Sequence, residues 1–103
     1  MIAVYVPVEI LKLLKVLAIE RRMGDVVKEA VIEMIEKGCE AVFDRKPNDL
    51  KKILVDDDTH YLLNRLRVEL DYRTIGEVIS DAVVSYAVRR GLAEECIEKI
   101  FSL

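Results

Sequence analysis

The chain has no glutamine, one histidine, two cysteines, two prolines and only four glycines among its 103 residues. Each shortage closes off a class of protein. Two cysteines and one histidine cannot fill a four-ligand structural zinc site. No serine or cysteine has an obvious imidazole base, and no glycine-rich phosphate loop is present, so the chain reads as a non-enzyme with no cofactor. There is no run of 18 apolar residues, so neither a transmembrane helix nor a membrane partner is expected. A net charge of −3 with no basic tail means that bulk electrostatics do not announce a nucleic-acid binder. Met1 leads into IAVYVPVEIL without a basic start, so a secretory leader is not expected and an intracellular (cytoplasmic) location is. The missing glutamine, beside abundant Glu, Lys, Val and Ile, is a composition typical of thermophiles. In that setting Cys39 and Cys96 read either as buried thiols or as a disulfide pair.

What is present is 52% hydrophobic and 34% charged, which favours a helix-rich globule over disorder. It also repeats itself. Residues 20–32 (ERRMGDVVKEAVI) match residues 72–84 (YRTIGEVISDAVV) at an offset of 52. Arg21 aligns with Arg73, Gly24 with Gly76, Val26 with Val78 and Ala30 with Ala82. The same offset pairs Leu11 with Leu63 and Leu14 with Leu66. An internal duplication follows. A half of this size buries too little apolar surface to stand alone, so the halves are expected to share a core.

Local patterns give the elements. Residues 2–6 alternate, with Ile2, Val4 and Val6 on one face and Ala3 and Tyr5 on the other, as in a half-buried strand. Pro7 suits the first position of a helix over 8–22, which carries Ile10, Leu11, Leu14, Leu17 and Ala18 as its stripe. Leu13, Val16 and Ile19 make a second apolar face that calls for cover, by residues 92–103, by another copy of the chain or by a protein partner. Gly24 is expected to break this helix, and a second helix over 25–37 buries Val26, Val27, Ala30, Val31, Met34 and Ile35, with Gly38 capping its end. A connector follows, turning at Pro47-Asn48-Asp49 and starting with a short helical turn at 39–43.

The second half opens with a strand over 51–55. A helix over 60–71 follows, capped by Asp58 or Thr59 and burying Leu62, Leu63, Leu66 and Leu70. Thr74-Ile75-Gly76-Glu77 spells a capping box for a helix over 75–90. Residues 92–103 form a last amphipathic helix with Ile97, Ile100 and Phe101 on one side. Asp56, Asp57, Asp58 and His60 read as a helix cap with solvated acids rather than a cation site. Arg89 and Arg90 read as cations at a helix C-terminus or as a basic patch for a partner. A lone strand cannot satisfy its backbone, so the two strands are expected to pair antiparallel.

Two strand–helix–helix units paired through their strands resemble the ribbon-helix-helix (Arc/Met repressor-like) DNA-binding family. VPVEILKLLKVLA is similar to that family's strand end and first helix, and RTIGEVISDAV to its inter-helix turn and second helix. The resemblance covers most of the chain. It implies a mostly α fold with a two-stranded antiparallel ribbon, a tandem pseudo-dimer plus a C-terminal helix. The units are 1–38, a connector 39–51, 52–91 and 92–103. The resemblance further implies a sequence-specific, double-stranded-DNA-binding transcriptional regulator, a repressor, with duplex DNA as partner. The ribbon enters the major groove and helix N-termini meet phosphates. Carried onto this sequence, the base-facing residues are Ala3, Tyr5, Leu54 and Asp56, once the second strand is shifted to bury Ile53 and Val55. The phosphate-facing residues are Arg21, Arg22, Gly24, Arg73, Thr74 and Gly76. The family usually carries Lys, Arg, Thr, Asn or Gln on the ribbon, whereas this ribbon is apolar and acidic. A second reading therefore stands beside the first: a protein-interaction module that keeps the fold and no longer reads DNA.

Overall fold

The computed structural model describes residues 1–46 and 49–103; Pro47 and Asn48 of the expected turn lie outside the described residues. Strand β1 (Ile2–Pro7) is followed by helices α1 (Val8–Leu17) and α2 (Met23–Lys37). After the connector come β2 (Leu50–Val55), α3 (Asp57–Glu69), α4 (Ile75–Arg89) and α5 (Glu94–Phe101). The strands pair antiparallel in a two-stranded sheet, with Ala3 opposite Leu54, Val4 opposite Ile53 and Tyr5 opposite Lys52. Alternation then sorts the faces. Val4, Val6, Ile53 and Val55 point to the core, and Ala3, Tyr5, Lys52 and Leu54 stay exposed. The helices supply the other layer, with α2 packed along α4 at its centre.

The core merges both halves: Ile10, Leu13 and Leu14 of α1, Val26, Val27 and Val31 of α2, Leu63 of α3, and Val78, Ile79 and Val83 of α4 are all fully buried in one cluster. The second helices start and end 52 residues apart, as the repeat indicated. The first helices do not. Pro7 caps α1 and Asp56 caps α3, an offset of 49, and α3 has 13 residues against 10 in α1. The offset of 49 also aligns the buried strand residues and pairs Leu14 with Leu63, both fully buried. The ungapped pairing of Leu14 with Leu66 is therefore corrected. A leucine-rich stripe recurs every three or four residues, so a three-residue slip still matches leucine to leucine.

Several expected boundaries also move. Helix α1 stops at Leu17 instead of residue 22, because the chain reverses through Glu20, which adopts a left-handed φ of 62°. Pro7 is the residue before the first helical turn rather than its first member. Gly24 lies inside α2 and breaks nothing. Its role is proximity. A Cβ on Gly24 would sit 2.7 Å from the carbonyl oxygen of Leu54, and one on Gly76 would sit 2.4 Å from that of Tyr5. Each second helix thus starts hard against the strand of the other half, closer than any side chain allows.

Ile35 and Leu70, expected inside, are exposed at the rims of their helices. Residues 39–43 form no helix; the segment runs along α4 instead. The Ser85 hydroxyl accepts from the Glu40 and Ala41 N–H groups (3.0 and 3.1 Å) and donates to the Ala41 carbonyl (2.9 Å). Asp81 accepts from the Phe43 N–H at 2.8 Å and the Tyr72 hydroxyl at 2.6 Å. Phe43 then meets Phe101 of α5 edge to face, with centroids 5.7 Å apart. Helix α5 packs on α1 and buries Ile97 and Phe101, while Val16 and Ile19 remain exposed. Cys39 and Cys96 are free and exposed, so neither the buried-thiol nor the disulfide reading holds. Among the described residues, no helix is long and apolar enough to cross a membrane.

Candidate nucleic-acid interface

The sequence nominates the outer face of the ribbon and the two second-helix N-termini. The fold brings these together across the halves. Tyr5 of β1 lies beside Gly76 and Thr74 at the start of α4, and Leu54 of β2 lies beside Gly24 at the start of α2. The ribbon is consequently flanked on each edge by one helix start. Ala3, Tyr5 and Leu54 occupy its outer face as expected.

Asp56 does not. It follows the last residue of β2 and caps α3, its carboxylate accepting from the Thr59 N–H at 2.7 Å. Thr59, through its hydroxyl and then its backbone N–H, holds the Asp56 carboxyl well below its ordinary value of 3.8, down to about 2; Lys28, at 3.2 Å, adds to the effect. The cap was expected at Asp58 or Thr59. The physical reason for Asp56 is position: an N-cap oxygen reaches the N–H three residues on, and Thr59 is that residue. Among the described residues, no group of three His, Cys, Asp or Glu side chains gathers as a metal site.

In place of Asp56 the outer face carries Lys52, directly opposite Tyr5. Sequence reasoning passed over it, although the shift that buries Ile53 and Val55 turns residue 52 outward by alternation alone. Its ammonium is the one charged donor among the outward positions of the paired strands. Around it the face is apolar, with Tyr5, Leu50 and Leu54 each about half exposed.

The helix starts differ. Arg22 is the N-cap of α2 and contributes no side-chain cap, which leaves early α2 N–H groups directed outward. Helix α4 caps itself: the Thr74 hydroxyl accepts from the Glu77 N–H (3.2 Å), and the Glu77 carboxylate accepts from the Thr74 N–H (3.1 Å). Arg22 and Arg73 are exposed and have no ion-pair partner among the described residues. Arg21 is engaged elsewhere. It donates to the Tyr86 hydroxyl at 3.2 Å and pairs with Glu29; these two partners raise its pKa. Glu29 in turn is held below the ordinary carboxylate range, chiefly by Arg21.

Arg90 joins the same network. It binds both Glu33 oxygens at 2.9 Å and stacks over the Tyr86 ring at 3.5 Å. Arg89 reaches the Gly38 carbonyl and lies near Glu33 and Glu40. Both arginines tie α4 to α2 and to the connector, so neither forms an open basic patch. In comparisons with known proteins, no family model, curated protein or solved structure matches the chain.

Proposed function

We propose that the chain is a duplex-DNA-binding transcriptional regulator, its two strand–helix–helix halves forming an intramolecular pseudo-dimer of the ribbon-helix-helix kind. The ribbon enters the major groove, and the two second-helix starts face phosphates on either side. One observation carries this reading: Gly24 and Gly76 let both helix starts close on the ribbon edges, which puts one reading face between two anion-attracting ends. Lys52 supplies a donor for guanine O6 and N7, and Tyr5 and Leu54 supply apolar contact for a thymine methyl. The ends are unequal. Each helix start carries one first-turn acid, Asp25 in α2 and Glu77 in α4. The α2 start has Arg22 and uncapped N–H groups, whereas the Thr74–Glu77 capping box occupies the α4 start, so α2 takes the stronger phosphate contact. Unequal ends and unlike strands suit a site without twofold symmetry.

The test is a titration of duplex DNA at several salt concentrations. Binding is expected to weaken steeply as salt rises. Arg22→Ala should weaken binding to every sequence alike and lower the salt slope by about one, with Arg73→Ala doing less. Lys52→Ala should change the preference among sequences. The second reading, a protein-interaction module of the same fold, is favoured by the exposure of Tyr5, Leu50 and Leu54 on the same face. Absence of DNA binding at low salt would select it.

A further inference from the structure

We propose that the cleft between β1 and the turn joining α3 to α4 binds a small organic anion, a carboxylate or phosphate carried on an aromatic or aliphatic body. The cleft measures about 770 Å³, within the range of small-molecule sites. Tyr5, Phe43, Tyr72 and Ile75 give it apolar walls. Arg67, Arg73 and His60 also face it.

The charge balance selects the ligand's sign. Both acids in the cleft are already satisfied within the protein. Asp81 accepts from the Phe43 N–H and the Tyr72 hydroxyl, one on each oxygen, and Glu77 closes the capping box. Of the cations, Arg45 is engaged by Glu98, but two others are not engaged by an acid. Arg67 and Arg73 have no ion-pair partner among the described residues, and Arg67 is half-buried. A guanidinium withdrawn from water without a carboxylate is stabilised by an arriving anion, through charge-assisted hydrogen bonds. His60 turns Nδ1 toward the Asn64 amide at 3.4 Å, which leaves Nε2 for a ligand.

The cleft's unpaired cations come from the second half, while β1 and the connector supply the facing walls. Arg67 lies in the last turn of α3, the longer of the two first helices, and Tyr72 follows that helix. The Tyr72 N–H donates to the Arg67 carbonyl at 2.9 Å, so the two are held together. Phe43 comes from the connector, which lies on α4. The site therefore does not depend on the two halves being alike, and it is tested without DNA.

The experiment titrates the full chain, labelled with nitrogen-15, with 3-phenylpropionate and phenyl phosphate. The alcohol 3-phenylpropan-1-ol serves as the neutral control. Saturable shifts are expected at the Phe43, Tyr72 and Arg73 amides, with the alcohol about tenfold weaker. Arg67→Met should weaken both anions about tenfold and leave the alcohol unchanged, and Arg67→Lys should recover part of the loss. Shifts scattered over the surface, equal affinity for the alcohol, or anion affinity untouched by Arg67→Met would overturn the proposal. If Arg67→Met does not fold, the alcohol comparison and Arg67→Lys still decide. Binding of duplex DNA without any probe shift would overturn this site and leave the DNA-binding reading standing.

Discussion

Helices α2 and α4 have 15 residues each and bury matching apolar positions, yet they live in different surroundings. Helix α4 is buried without interruption from Val78 to Ala87. Helix α2 keeps a wet face, with Ile32 and Ile35 exposed where α4 has the buried Val84 and Ala87. Two polar positions account for the difference. Glu29 and Glu33 of α2 are long acids and reach arginines near the surface. Asp81 and Ser85, at the same places in α4, are short and accept backbone N–H groups of the connector. A short polar side chain can dock a strand of backbone close to a helix; a long acid holds it off. Equal apolar stripes thus do not make equal helices, and the neighbouring polar residues decide which one becomes the centre.

The widest test of this comparison asks whether the halves melt together. Leu14→Ala and Leu63→Ala should each cost about 2–5 kcal/mol, because both side chains are fully buried in one cluster. Denaturant unfolding should show a single transition in each variant. Two transitions, each moved by only one mutation, would separate the halves. Next come the glycines. Gly76→Ala and Gly24→Ala should lose about 1–3 kcal/mol, with Gly76→Ala the worse because its contact is tighter. A gain in stability at either position, as alanine gives in an open helix, would mean that the strand is not held so close.

A finer test addresses the polar positions. Asp81→Ala leaves the Phe43 N–H and the Tyr72 hydroxyl without their acceptor and should cost about 1–3 kcal/mol. Glu29→Ala removes two surface ion pairs, with Arg21 and Arg90, and should scarcely move the melting temperature. Equal losses would erase the distinction drawn between α2 and α4. The smallest effect concerns the first helices, where α3 has an acidic cap and α1 has Pro7. The Asp56 carboxyl is held down to about 2 in the folded chain, so its stabilising contribution is full above its ordinary value of 3.8. That contribution fades as pH falls toward about 2. Asp56→Asn should therefore narrow the stability gap between neutral and acid pH, measured by urea unfolding at several pH values. An unchanged gap would show that the cap carries no such linkage.

Much of the fold was legible because it rests on patterns with few alternatives. The alternation in residues 2–6 and the Thr74–Glu77 capping box each admitted one reading, whereas Gly24 read as a helix breaker and instead lies inside α2 against the strand. The three-residue difference between the first helices was hidden by leucines that match in two registers. The docking of the connector was hidden as well, because Asp81 and Ser85 look like solvated residues of an amphipathic helix. A faint signal existed: from Val78 to Val88, Asp81 is the only charged residue, whereas the matching stretch of α2 carries four acids or lysines. At the interface, the outward turn of Tyr5 and Leu54 was readable from period two. The engagement of Arg21 by Glu29 and Tyr86 was not, since it depends on how α2 meets α4.

The pairing of β1 with β2 has a further consequence. Both strands belong to one molecule, joined by the α1–α2 pair and the connector. Their meeting is a ring closure with a fixed effective concentration, set by the length of the tether and not by the amount of protein in solution. Dilution does not pull them apart. The ribbon persists at concentrations so low that one assembled from two separate chains would dissociate by mass action.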